Sequence, residues 1–359
     1  MTPPRPALND ALTRNAVFVE RLKAGEIRKF DPYLAEIDRN IRDLLTRDDV
    51  PALSRSRLEE LLTAIANMMH GVQERYTDQL RIDLQTFAVY QSEFAYRALN
   101  DATPADVAVA MPTAEAVATA VLSQPLHVHG TNGGKLLESF IADWSQVERD
   151  AVTGAIRLGM AQGQTTAQII RRIRGSRALN YADGLLDVTR RHAAAIVQTA
   201  IQHAGDAGRQ VTYFDNGDIV KEEQWVSTLD SHTTQLCRSL DGLQFPVGEG
   251  IRPPAHINCR SIRVPVLSSA FEAEFANAGF TRASSVGQVD AKLTYYEWLK
   301  SQPALFQDQA IGPVRAKLFR DGGLSVETFA ELNLGRNFEP LTLDEMRALE
   351  PLAFERAGI

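Results

Sequence analysis

The chain has 359 residues and a mass of 39.6 kDa, a length that predicts two or three domains. A hydrophobic share of 44% and a charged share of 23% are typical of globular proteins that bury a sizeable core. The formal net charge of −7 argues against general binding to a nucleic-acid backbone, because such binding needs an excess of Lys and Arg.

The sequence also argues against a membrane protein and against a small protein stabilised by disulfides. No stretch approaches the ~18 consecutive apolar residues of a membrane-spanning helix, and the first residues lack the apolar region of a secretory signal. The two cysteines, Cys237 and Cys259, do not make a disulfide framework. We therefore expect synthesis in a reducing host cytoplasm and no membrane partner.

Helical periodicity dominates the first hundred residues. A helical pattern over residues 14–47 is interrupted at Asp31-Pro32. Apolar residues at three-four spacing between Pro51 and Pro104 then predict one long amphipathic helix, or two helices with a break near Gly71.

The middle of the chain is more divided. Proline and glycine split residues 103–134 into short pieces, which predicts a linker or a domain edge. Helical patterns resume over residues 135–162, from the capping box of Thr165 and Gln168 to Arg174, and over residues 186–207.

Strand-like pieces follow, and then further helices. The strands are predicted at residues 211–214, 224–229 and 261–267, and the later helices at residues 293–299, 314–319 and 326–332. The predicted fold is mainly α with a small α+β domain. It has an N-terminal helical arm (1–110), a domain with helices and short strands (111–267) and a helical C-terminal tail (268–359).

Side chains with special chemistry are concentrated in residues 224–267, which comprise the last two predicted strands and the loop between them. We call this segment the clasp. In chain order they are Trp225, Asp230, Thr233, Cys237, Asp241, Gly242, Pro254, His256, Cys259 and Arg260. An Asp can accept backbone N–H bonds in a turn, and Asp-Gly marks a tight turn. We predict that the strands hold this polar loop so that Asp230, Cys237, His256, Cys259 and Arg260 converge and stabilise a docking module.

The clasp resembles the signature region of the phage head morphogenesis family, which includes the F protein of phage Mu. In that family a strand with Trp leads to Asp-x-Arg-Thr, a Cys, a Leu-Asp-Gly-like turn, a Pro-rich stretch and His-x-x-Cys-Arg. The matching residues are Trp225, Asp230, Thr233, Cys237, Leu240-Asp241-Gly242, Pro253-Pro254, His256, Cys259 and Arg260. The chain departs from the family at His232, where Arg is usual, and at Thr234, where many members have a second Cys. The resemblance covers about residues 135–267.

The resemblance implies a structural role rather than an enzymatic one, with no catalytic residues. It implies a minor head protein in the virion, near the portal vertex, that takes part in head assembly and could act in DNA packaging or ejection. The implied partners are the portal protein and the major capsid or scaffold protein, with transient contact to packaged DNA. The alternatives are an injected virion protein and a metal-dependent nuclease or peptidase carried in the head.

The chemistry of the clasp leaves three interpretations open. Cys237, His256 and Cys259 could bind zinc with Asp230 or His232 as a fourth ligand, although Thr234 removes the usual second Cys of a tetrahedral site. A hydrogen-bonded network is the simpler interpretation, with Asp230 paired to Arg260, His256 capping a loop and both cysteines buried as small apolar groups. A Cys237–Cys259 disulfide in the mature particle is the third. Zinc is the one cofactor considered.

Overall fold

The computed structural model describes residues 8–47, 50–268, 281–290 and 292–359. The architecture is mainly α-helical with a small antiparallel β part, so the predicted fold class is confirmed. In chain order the α-helices are α1 (Leu8–Arg28), α2 (Asp31–Arg47), α3 (Arg55–Ala102), α4 (Ala114–Ser123), α5 (Leu137–Ala161), α6 (Thr166–Arg174), α7 (Leu185–Asp215), α8 (Gln235–Leu240), α9 (Tyr295–Lys300), α10 (Ala304–Ile311), α11 (Pro313–Asp321), α12 (Val326–Leu332), α13 (Leu343–Leu349) and α14 (Pro351–Ala357). Short 3₁₀ helices lie at Val50–Ala52 and Arg177–Leu179. The strands are β1 (Val220–Val226), β2 (Gln244–Pro246), β3 (Ile262–Leu267), β4 (Thr281–Ser284) and β5 (Gly287–Asp290).

Helix α3 is the longest described element, with 48 residues. The hydroxyl of Ser54 caps its N-terminus by accepting a hydrogen bond from the backbone N–H of Arg57. The helix runs without interruption through Gly71, so the alternative of two helices with a break there is wrong. Its buried stripe packs against α2, α4, α5 and above all α7, which makes α3 and α7 the central pair of the bundle.

The helices before and after residue 110 share their apolar cores. The ring of Phe30 lies 4.8 Å from that of Tyr76 in α3 and 5.6 Å from that of Trp144 in α5, measured between ring centroids. A second core joins α2 and the first half of α3 to α5, α6 and the start of α7. The N-terminal helices are therefore packed onto the rest of the bundle, and the domain limits at 110 and 267 stay predictions.

The predicted strand at residues 211–214 is wrong, because α7 continues through it to Asp215. Thr212 favours a strand by its local preference, but here it is buried against α3, with its hydroxyl 2.8 Å from that of Ser92. Packing along a long helix outweighs the strand preference of individual residues. Asn216 ends the helix, since its side-chain amide donates to the carbonyl of Thr212 and also bonds to Ala110.

The β part consists of a three-stranded antiparallel sheet in the order β2-β1-β3 and a separate β4-β5 hairpin that the sequence pattern did not predict. In the sheet, Glu223 is opposite Phe245 on one side and Pro265 on the other. Beyond the hairpin, α9–α14 surround their own aromatic core. The predicted tail helices at residues 293–299, 314–319 and 326–332 correspond to α9, α11 and α12.

Among the helices in the described ranges, none has both the length and the apolar character that crossing a membrane requires.

Candidate functional site

The clasp begins at the central strand of the sheet. Trp225 near the end of β1 is fully buried, and its indole N–H donates to the hydroxyl of Ser227 at 3.0 Å. The Ser227 hydroxyl donates in turn to the carbonyl of Cys237 at 2.6 Å. A buried aromatic ring with a satisfied N–H thus fixes the position of α8 relative to the sheet.

Asp230 organises the turn that follows β1. One oxygen of its carboxylate accepts hydrogen bonds from the backbone N–H groups of His232 (2.9 Å) and Thr233 (3.0 Å). The Arg260 guanidinium donates to both carboxylate oxygens, at 2.7 and 3.0 Å. Burial alone would raise the pKa of Asp230, but the hydrogen bonds and charge of Arg260 outweigh it and lower the pKa below its ordinary value. The carboxylate is therefore held ionised in the turn.

Asp241 and Gly242 close the other end of α8. The Asp241 carboxylate accepts a hydrogen bond from the backbone N–H of Ser227 at 2.5 Å, and the N–H of Gly242 donates to the carbonyl of Trp225 at 2.9 Å. Gly242 has a φ of +90°, and a Cβ there would lie 2.8 Å from Cγ2 of Thr294. Both the backbone conformation and the close approach require glycine at this turn.

Two thiols and one imidazole meet between α8 and the loop before β3. The Sγ atom of Cys237 lies 3.1 Å from Nε2 of His256 and 3.8 Å from Sγ of Cys259. Within the described residues, the nearest ligand atoms of these three side chains all lie within 4.8 Å of one another. Both cysteines are buried, and they form no disulfide with each other. We call these three residues the thiol–imidazole group.

The ionisation of the thiol–imidazole group is uneven. Burial raises the pKa of Cys237, and the neighbouring sulfur of Cys259 raises it further. Burial also opposes ionisation of Cys259, but hydrogen bonds from Cys237 and His256 stabilise its thiolate and lower its pKa well below the ordinary value. Burial would lower the pKa of His256, but the interaction with Cys259 raises it. The group therefore favours a thiolate on Cys259 beside His256.

The structure brings most of the predicted clasp residues together. Thr233 and Pro254 are buried in the same unit, and the peptide bond from Pro253 to Pro254 is cis. Asp230, proposed above as a fourth metal ligand, is not part of the thiol–imidazole group, because both of its oxygens accept hydrogen bonds from Arg260. His232, the other proposed fourth ligand, is exposed.

A buried network of charges beneath the sheet was not identified from the sequence. Arg252 pairs with Glu223 of β1 and, at 2.7 Å, with Asp206 of α7. Arg263 of β3 lies 3.3 Å from the same Glu223, and both side chains have 0% exposure. Arg263 stands inside the predicted strand at residues 261–267, where an isolated charge among apolar residues was the available signal. Glu223 precedes the predicted strand at residues 224–229, because the observed β1 begins earlier, at Val220.

A second missed contact joins the clasp to the hairpin. Arg282 of β4 donates to both oxygens of the Asp241 carboxylate, at 3.0 Å each, and also to the carbonyl of Leu293. The backbone N–H of Tyr295 donates to the same carboxylate at 2.6 Å. Asp241 therefore links α8 to the hairpin and to the start of α9.

Comparison with known protein families identifies the central part of the chain. Residues 150–263 match the family model described as Phage Mu protein F like protein. The match begins within α5, ends within β3 and includes the thiol–imidazole group and the Asp230–Arg260 pair, and we call it the F-like segment. It agrees with the family recognised from the clasp motif and supports a phage head morphogenesis protein. Neither a curated protein nor a solved structure matches the chain.

Proposed function

We propose that this protein is a structural minor head protein of a tailed bacteriophage that acts in head assembly at the portal vertex. The observation that carries the proposal is the F-like segment, since the match contains Asp230, Cys237, His256, Cys259 and Arg260 together. We also propose the virion head as its location in the mature particle.

The contacts of the clasp support a structural role. The carboxylates of Asp230 and Asp241 each accept hydrogen bonds from an arginine and from backbone N–H groups. The thiols of Cys237 and Cys259 are 1% and 0% exposed, so neither presents a nucleophile to an outside substrate. Side chains used in this way hold a loop in one conformation.

The portal protein and the major capsid or scaffold protein are the partners we propose. The clasp is supported by rigid elements, because Gln202 of α7 donates to the carbonyl of Ser261 at 2.7 Å and Arg252 joins α7 to β1. A rigid support reduces the conformational entropy that the protein loses when it docks to a partner. The net charge of −7 would limit adhesion to packaged DNA, which fits a transient contact.

Assembly with and without the portal tests the location. The full-length protein is co-expressed with capsid and scaffold proteins, once with the portal protein and once without it, and procapsids are isolated and analysed for the protein. We expect incorporation in the portal-containing particles and little in the others. Equal incorporation in both preparations would reject the assignment to the portal vertex.

The two alternative roles predict different results. An injected protein would be present in filled virions and missing from particles after DNA ejection, whereas a fixed head component is retained in both. A metal-dependent nuclease or peptidase would hydrolyse DNA or unfolded protein in the presence of divalent metal. Retention together with no hydrolysis is the result expected here.

A further inference from the structure

We propose that Cys237, His256 and Cys259 bind one zinc ion, which ties α8 to the loop before β3. The inference goes beyond head assembly, because it assigns a metal and a set of ligands that the family match does not specify. A water molecule completes the coordination.

The spacing of the ligand atoms fits a tetrahedral ion. Zinc–sulfur bonds of about 2.3 Å and zinc–nitrogen bonds of about 2.0 Å give tetrahedral edges of roughly 3.8 Å between sulfurs and roughly 3.5 Å between sulfur and nitrogen. The two Sγ atoms are 3.8 Å apart, and Nε2 of His256 is 3.1 Å from Sγ of Cys237. The sulfur–sulfur distance already equals the tetrahedral edge, and the distance from Cys237 to the imidazole is shorter than its edge by a few tenths of an ångström. The third distance, from Cys259 to the imidazole, is within 4.8 Å.

The imidazole is already oriented as a ligand. Nδ1 of His256 lies 2.8 Å from the carbonyl oxygen of Ile257, so Nδ1 carries the proton and donates it to the backbone. Nε2 is the ring nitrogen that faces the sulfur atoms, and its lone pair would bind zinc once the ion displaces the proton from that nitrogen. Histidine ligands in metal sites commonly use the second ring nitrogen in this way, which fixes both the tautomer and the ring plane.

Charge and ligand type favour zinc. A buried thiolate is costly without a compensating charge, and a divalent ion neutralises two thiolates at once. The sulfurs of Cys237 and Cys259 are both buried, one in α8 and one in the loop before β3. Thiolate and imidazole together in a tetrahedral arrangement select zinc over the hard cations.

Neither of the two candidates for a fourth protein ligand belongs to the thiol–imidazole group. Asp230 is occupied by Arg260, and His232 is exposed. Thr234 caps the N-terminus of α8 three residues before Cys237, and its hydroxyl is close enough to interact with the Cys237 thiol. The substitution Thr234→Cys would create the two-residue spacing between cysteines that zinc sites use, and it should therefore tighten zinc binding.

The test uses the full-length protein purified under reducing conditions from zinc-supplemented cells. Elemental analysis should find about one zinc per chain, and a strong chelator should remove it and lower the melting temperature. His256→Ala and Cys259→Ser should lose most of the zinc, whereas His232→Ala, a histidine control in the turn after β1, should keep it. Thr234→Cys should retain zinc at chelator concentrations that strip the natural sequence.

A spectroscopic measurement covers the case in which a ligand variant fails to fold. Cobalt added to the metal-free natural protein should give the thiolate-to-cobalt charge-transfer and tetrahedral ligand-field absorption of a two-sulfur site. Metal-free protein with two free thiols, a Cys237–Cys259 disulfide in the fresh protein, or iron or copper in place of zinc would each overturn the proposal. So would equal zinc content in His256→Ala and in the natural sequence.

Discussion

Arg260 donates two hydrogen bonds to the carboxylate of Asp230, thirty positions earlier in the chain. The pair is partly shielded, with side-chain exposures of 31% and 16%. Two parallel N–H···O bonds add directional specificity to the charge attraction. The pair connects the turn after β1 to the loop that enters β3, and it is the contact in the clasp that the sequence motif anticipated.

Loss of this pair should destabilise the protein. Asp230→Asn removes the charge and weakens the turn, and we expect a loss of about 2 kcal/mol in the free energy of unfolding, measured with urea. Arg260→Lys should lose less, because an ammonium keeps the charge without the planar fork. His232→Ala, exposed in the same turn, should change stability by less than about 0.5 kcal/mol. Equal stability of Asp230→Asn and His232→Ala would contradict this account.

The Asp241–Arg282 contact should matter more, because it is more deeply buried. The side chain of Asp241 is 0% exposed and that of Arg282 is 6% exposed. Arg282→Ala would leave the carboxylate buried without its main partner, and we expect a loss of about 3–5 kcal/mol in unfolding free energy. The exposed Lys292→Ala, beyond the same hairpin, serves as the control. A small effect of Arg282→Ala would show that the hairpin is not anchored through Asp241.

The buried network should make stability depend on pH in the acid range. Burial would raise the pKa of Asp206, but the charges of Arg252 and Arg209 lower it below the ordinary value. The ionised Asp206 therefore contributes fully above about pH 4, the pKa range of an unfolded Asp, and the contribution is lost as the pH falls through the lowered folded-state pKa. Thermal melts from neutral to acid pH should show a steeper loss for the natural sequence than for Asp206→Asn.

The same variant supplies the check. Asp206→Asn should already be less stable at neutral pH by about 3 kcal/mol, since Arg252 loses one of its two carboxylate partners. Parallel pH profiles for the two proteins would show that another group causes the acid sensitivity.

Close approach of α3 and α7 predicts opposite effects at two glycines. A Cβ on Gly208 of α7 would lie 2.2 Å from the carbonyl oxygen of Ala88 in α3, whereas a Cβ on Gly71 of α3 would meet nothing within 4 Å. Gly208→Ala should force the helices apart and cost about 3 kcal/mol. Gly71→Ala should instead stabilise α3 by roughly 0.5–1 kcal/mol, because alanine favours the helix. Denaturation midpoints of both variants test the packing, and a stabilising Gly208→Ala would refute it.

Local signals predicted much of the helical architecture. The capping box of Thr165 and Gln168 is present at the start of α6, and the interruption at Asp31-Pro32 separates α1 from α2. Such signals depend on neighbours within one or two helical turns, so a single sequence contains them. The strand predicted at residues 211–214 failed because the choice between helix and strand there depends on burial against α3.

By itself, the amino-acid sequence determined the mainly helical class, the clasp motif and the resemblance that the family match over residues 150–263 confirms. Tertiary structure decided which partners the charged and sulfur-bearing side chains take. It paired Arg252 with Glu223 and Asp206, gave Asp241 to Arg282, and placed His256 beside the two thiols. The physical reason is that a buried charge or thiol is stable only beside a compensating partner, and that partner is selected by how distant segments pack rather than by neighbouring residues.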